Sequence, residues 1–134
     1  NFIMLTPYHY TYLNILNGKP ENFYKKFEND YWGSSIKELI NNTKLNKNSR
    51  IVFSSCGIAD YGAKYYLKKA GFSNFSFESL DKSEFIIMTN RTTSIKENIY
   101  SSNNITNCFD KFKGTDISQV KRNGMVLSVI RKIN

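Results

Sequence analysis

Two short apolar runs dominate the hydrophobic pattern. Residues 50–56 hold Ile51, Val52, Phe53 and Cys56 and end at Gly57; residues 84–89 hold Phe85, Ile86, Ile87 and Met88. Runs of this length, rich in β-branched and aromatic residues, predict strands buried on both faces. Between them, residues 60–70 carry Ala63, Tyr66, Leu67 and Ala70 on one stripe and stop at Gly71. That pattern predicts a helix with Asp60 as its N-cap. Strand, helix, strand in this order implies a right-handed parallel crossover. Residues 72–77 alternate loosely and read as a short strand or an extended loop.

Upstream, residues 8–16 alternate, with Tyr8, Tyr10 and Tyr12 on one face and His9 and Thr11 on the other, which predicts a strand. Asn17, Gly18 and Lys19 supply turn chemistry, and Pro20 suits the first position of a short helix through Phe27. Ser35 and Glu38 stand at capping-box spacing, predicting a helix that runs to Asn42 with Ile36, Leu39 and Ile40 inward. Residues 43–49 read as a polar loop. Residues 90–113 are Asn-rich and without clear period, with Ile95, Ile99, Tyr100, Ile105, Cys108, Phe109 and Phe112 as scattered anchors. Residues 115–121 and 125–133 read as strands around Arg122, Asn123 and Gly124, and Asn-Gly is a strong hairpin signal. In the second of these strands, Val126, Ser128 and Ile130 alternate with Leu127, Val129 and Arg131. The crossover demands a parallel pair and the hairpin an antiparallel one. The predicted fold is therefore α/β. It is a small single domain over residues 1–134, with a mixed β-sheet of about five strands, helices packed on it and a C-terminal β-hairpin.

A chain of 134 residues is long enough for one core. A mean hydropathy of −0.46, with no apolar run of about 18 residues, describes a soluble domain that does not itself span a bilayer. No signal-peptide pattern opens it. The start at Asn1, without Met, reads as a fragment cut from a larger protein, just past a membrane helix. The net charge is +8 and the pI near 9.5, which raises nucleic acid or an anionic membrane face as partners. The lysines are spread along the chain, and much Asn, Ile, Lys and Tyr is the bias of an AT-rich coding sequence. Neither zinc-ligand spacing nor an RNA-binding signature accompanies the charge, so nucleic acid is not expected. Cys56 and Cys108 pair if the domain is extracytoplasmic and are buried free thiols if it is cytosolic. Asn-x-Ser/Thr triplets begin at Asn41, Asn74, Asn90 and Asn104, but a chain this rich in those residues produces them without glycosylation.

Candidate chemistry is sparse. His9 is the only histidine and no carboxylates stand at ligand spacing around it, so no metal and no cofactor is expected. Cys56 before Gly57 reads as a strand end rather than a nucleophile. Gly57 and Gly62 with no following lysine make no phosphate-binding loop. Asp30, Tyr31 and Trp32, with Glu28, Tyr10 and Tyr12, form the kind of set that binds sugars: rings stack on a pyranose and acids accept its hydroxyls. The competing role is structural, with Tyr31 and Trp32 as core anchors and Asp30 as a local cap.

The same segment carries a resemblance. Pro7, Tyr8, Tyr10, Tyr12 and Asn14, then Gly18, then Phe27, Glu28, Asp30, Tyr31, Trp32, Gly33, Ser35, Lys37 and Glu38 form a pattern. It is similar to the segment after the last transmembrane helix of bacterial polytopic glycosyltransferases akin to the dolichyl-phosphate-mannose protein mannosyltransferases and the lipid A aminoarabinose transferases. It covers roughly the first third of the chain; beyond Glu38 only the order of elements is similar. In such transferases the donor is a polyprenyl-phosphate sugar and the catalytic aspartate lies in an early loop between membrane helices. The resemblance therefore implies a C-terminal domain at the periplasmic face of the inner membrane, without catalytic residues of its own. Its implied partners are the transmembrane part of the same polypeptide, carbohydrate or a lipid-linked sugar, and the nearby membrane surface. The implied task is acceptor binding or active-site closure. The isolated chain is then expected to bind no metal or nucleotide and to transfer no sugar unaided. Residues 90–113 depart from the pattern, which leaves the acceptor open. The alternative is a standalone small α/β ligand-binding or nucleotide-binding domain, against which stands the lack of a cofactor fingerprint.

Overall fold

The computed structural model describes Asp30, residues 33–93 and residues 106–133. In chain order the elements are α1 (Ile36–Asn42), β1 (Ile51–Cys56), α2 (Asp60–Lys69), β2 (Phe75–Phe77), β3 (Phe85–Thr89), β4 (Thr92–Thr93), β5 (Thr106–Asn107), α3 (Cys108–Lys111), β6 (Gly114–Arg122) and β7 (Met125–Ile133). A single 3-10 turn, Leu80–Lys82, precedes β3. The expected strand at residues 8–16 and the helix opened by Pro20 lie outside the described residues.

The two apolar runs stand side by side as β1 and β3, in parallel, with Phe53 opposite Phe85 and Cys56 opposite Met88. Five strands form a mixed sheet in the order β2-β1-β3-β7-β6. The crossover from β1 through α2 returns to β2, parallel to β1 at the sheet edge. Residues 72–77, which read two ways in the sequence, thus contain a strand. All of β3 is buried because both of its faces are covered. Toward α1 and α2, Phe85 and Ile87 join Phe53, Leu39, Ile40, Ala63 and Leu67. Toward α3, Ile86 and Met88 join Cys56, Cys108, Phe109 and Val129. Phe53 is the hub of the first core, with Phe72, Phe75, Phe77 and Phe85 around it at ring-centroid distances of 5.8 to 6.5 Å.

The hairpin β6–β7 turns at Asn123 (φ 49°) and Gly124 (φ 81°), the two successive positive φ values of a type I′ turn. Its alternation departs from the sequence pattern. The register slips between Val120 and Lys121, making Leu127 the extra residue of a bulge in β7. Val126 therefore shares a face with Val129, and Leu127 shares the other with Ile130. The bulge also turns Ser128 toward the start of α1. A small antiparallel pair, β4–β5, was not foreseen in residues 90–113, nor was the short helix α3.

Two expected caps are corrected. Ser35 makes no side-chain cap to α1, because a closer acceptor, Asp30, takes its hydroxyl. Glu38 pairs instead with Arg122 at the end of β6, at 2.6 Å. Asp60 is the first helical residue rather than the N-cap, which is Ala59, and its carboxylate accepts from Ser55 Oγ at 2.5 Å. There it still complements the helix dipole.

Candidate functional site

Of the six candidate binding residues, the structure describes Asp30; Glu28, Tyr31, Trp32, Tyr10 and Tyr12 lie outside the described residues. Asp30 is completely buried. Its Oδ1 accepts from the Ser34 amide at 2.8 Å, and its Oδ2 from the Ser35 amide at 3.1 Å and from Ser35 Oγ at 2.5 Å. Its carbonyl accepts from the Gly33 amide at 3.0 Å. An aspartate followed by a turn and then a helix satisfies the leading amides of that helix, so the local sequence explains these bonds. A buried carboxylate is tolerable only with such charge-assisted donors.

Asp30 is also tied across the fold. Its amide donates to Asn90 Oδ1 at 3.2 Å, and Asn90 lies immediately after β3. The Asn90 carbonyl accepts from Asn107 Nδ2 at 2.8 Å, while Asn107 Oδ1 caps α3 through the Phe109 amide at 2.9 Å. Ser35 Oγ lies 2.6 Å from Ser128 Oγ on β7. Ser35, Asn90 and Ser128 are each 0% exposed. Beside them the Cys56–Cys108 disulfide joins the end of β1 to α3, closing a sequence separation of 52. Gly57, at φ +79°, packs so closely under Thr89 and Arg91 that a Cβ there would collide with Thr89 Oγ1 and the Arg91 side chain. Thr89 Oγ1 donates to the Gly57 carbonyl at 3.0 Å.

This polar layer sits at the carboxyl ends of the parallel strands β1 and β3. In open α/β sheets that is where ligands bind. Here Asp30 and Asn90 are both fully buried. Asp30, Ser35 and Ser128 make a carboxylate–hydroxyl–hydroxyl chain, but with no exposed member it offers a substrate no access. Among the described residues no group of three or more His, Cys, Asp and Glu is arranged to hold a metal ion.

On the opposite face of the sheet a cavity of about 190 Å³ is lined by Phe109, Asp110, Asp116, Val126, Val129 and Arg131. The Arg131 guanidinium crosses it, bonded to Asp116 at 2.5 Å and to the Phe109 and Phe112 carbonyls. That volume falls below the range of about 300–1,000 Å³ usual for small-molecule sites. Asn90, Asn107 and Ser128 escaped notice in the sequence as functional partners. For Asn90 and Ser128 the signal was a polar residue inside or just after an apolar run, which the fold must pair internally; Asn107 carried no such signal.

No family model matches the chain, and neither any curated protein nor any solved structure does.

Proposed function

We propose that this chain is a non-catalytic, extracytoplasmic domain of a membrane glycosyltransferase that uses a polyprenyl-phosphate sugar donor, serving acceptor binding or closure of the active site. The sequence basis is the Asp-Tyr-Trp-Gly pattern at Asp30 to Gly33 and its tyrosine-rich approach. The structural observation that carries the extracytoplasmic part is the disulfide between Cys56 and Cys108. Disulfides persist in oxidising compartments and are rare in a reducing cytosol. The burial of Asp30 supports the non-catalytic part, since an aspartate that organises a helix entry is not free to exchange protons with a substrate. In this reading Asp30 is a positioning residue, and Glu28, Tyr31, Trp32, Tyr10 and Tyr12 supply contacts to carbohydrate.

The compartment is tested on the parent protein in intact spheroplasts with a membrane-impermeant maleimide. The expected result is no labelling of Cys56 and Cys108 until a reductant is added together with denaturant outside the membrane. Labelling that needs membrane lysis but no reductant contradicts it. The parent gene is expected to encode several apolar spans of about 20 residues ahead of Asn1.

A further inference from the structure

The two most exposed large hydrophobic side chains among the described residues are Tyr61, 80% exposed, and Tyr65, 57% exposed. They stand one turn apart on α2. The inner stripe of that helix, Ala63 and Leu67, is buried against the sheet. Its outer arc carries Asp60, Tyr61, Lys64, Tyr65, Lys68 and Lys69, all exposed. Asp60, the only acid of the arc, already accepts from Ser55 Oγ. Lys69 Nζ lies 5.8 Å from the Tyr65 ring centre, and Lys64 Nζ lies 5.1 Å from the Phe77 ring centre on the neighbouring edge strand. Lys47 adds a fourth ammonium at the end of the helix, donating to the Ala70 carbonyl at 2.7 Å.

We infer that the outer face of α2 is a docking surface for an anionic lipid bilayer, with Tyr61 and Tyr65 entering the headgroup layer and Lys64, Lys68 and Lys69 meeting lipid phosphates. Tyrosine rings are amphipathic and collect at the headgroup level of membranes. Lysine stems lie along such rings while their ammonium groups reach phosphate. The charge of the arc complements an anionic leaflet, where each lysine near the surface contributes on the order of a fivefold gain in partitioning. Nucleic acid also offers phosphates, but the arc holds no arginine, and a convex helix gives bases no groove in which to stack. The inference stands apart from the glycosyltransferase proposal, because it concerns the chain itself on a bare bilayer.

The test is flotation of the full chain with vesicles of phosphatidylcholine alone and of phosphatidylcholine with phosphatidylglycerol, at low and high salt. Binding is expected to the anionic vesicles only, and to weaken with salt. Lys64→Gln/Lys68→Gln/Lys69→Gln is expected to weaken it by about 100-fold, and Tyr61→Ser/Tyr65→Ser by at least about tenfold. All five side chains are exposed, so both variants keep their fold, as thermal melts will check. Lys111→Gln/Lys113→Gln/Lys121→Gln removes the same charge from α3, the link after it and β6, away from α2, and is expected to keep binding within about twofold. Several results overturn the inference: no flotation with anionic vesicles, equal flotation with neutral ones, an equal loss in the distant triple variant, or tighter binding to a single-stranded oligonucleotide that the α2 variants abolish.

Discussion

Replacing Asp30 by asparagine separates a structural joint from a binding site at the most distinctive position of the chain. Asparagine keeps the shape but exchanges one carboxylate oxygen for a donor. In the better orientation its carbonyl takes the place of Oδ2, keeping the Ser35 amide and hydroxyl, and its NH2 group faces the Ser34 amide. One hydrogen bond is lost, worth about 1 kcal/mol, and two others lose their charge assistance, worth about 1 kcal/mol each. Burying a neutral amide in place of a carboxylate offsets part of this. The expected net loss is about 2 kcal/mol, a fall in Tm of roughly 8 °C for a domain of this size. Asp30→Ala is expected to cost more, about 3–4 kcal/mol, because the buried Ser35 amide is orphaned, whereas Ser34 is exposed and turns to water. Denaturant titrations of the isolated chain measure both. An Asp30→Asn chain that unfolds within about 0.5 kcal/mol of the unsubstituted one, while sugar transfer by the parent protein collapses, refutes the structural role and makes Asp30 a site residue.

The disulfide closes a span of 52 residues, so Cys56→Ala/Cys108→Ala should lower stability by about 4 kcal/mol in the chain-entropy account, and a reductant under partly denaturing conditions should do the same. Equal denaturation midpoints with and without reductant would count against the bond. Gly57→Ala adds a Cβ at positive φ directly under Thr89 and Arg91, and calorimetry should show a loss of at least about 2 kcal/mol. The Glu38–Arg122 pair is partly exposed on both sides, so Glu38→Ala should change stability by no more than about 1 kcal/mol, less at high salt.

The sheet was legible where burial is two-sided. Ile51–Cys56 and Phe85–Thr89 are apolar on both faces because β1 and β3 lie between two cores, so their runs announced them. Asn123 and Gly124 announced the hairpin because few residues accept two successive positive φ values. What the sequence obscured is long-range. The capping box failed because Ser35 found Asp30 upstream and Ser128 on β7, while Glu38 found Arg122, 84 residues away. The bulge at Leu127 has no local signature, so strict alternation misassigned Val126 and Ile130. Strands of two residues such as β4 and β5 carry too little pattern to see, since their pairing, Thr92 with Asn107, spans a long connection. The candidate site was half visible. Asp30 stood out through its motif, but only the fold brings Asn90 to its amide, Asn107 to Asn90 and Ser128 to Ser35.

Sugar transfer by the intact parent protein in membranes tests the central proposal most directly. Labelled polyprenyl-phosphate sugar is supplied to membranes holding the full-length protein, to membranes holding a form truncated before Asn1, and to the isolated chain. The account predicts transfer by the full-length protein, little or none by the truncated form, restoration by no catalytic residue of this chain, and no turnover by the chain alone. Turnover by the isolated chain, or undiminished transfer after its removal, would contradict it.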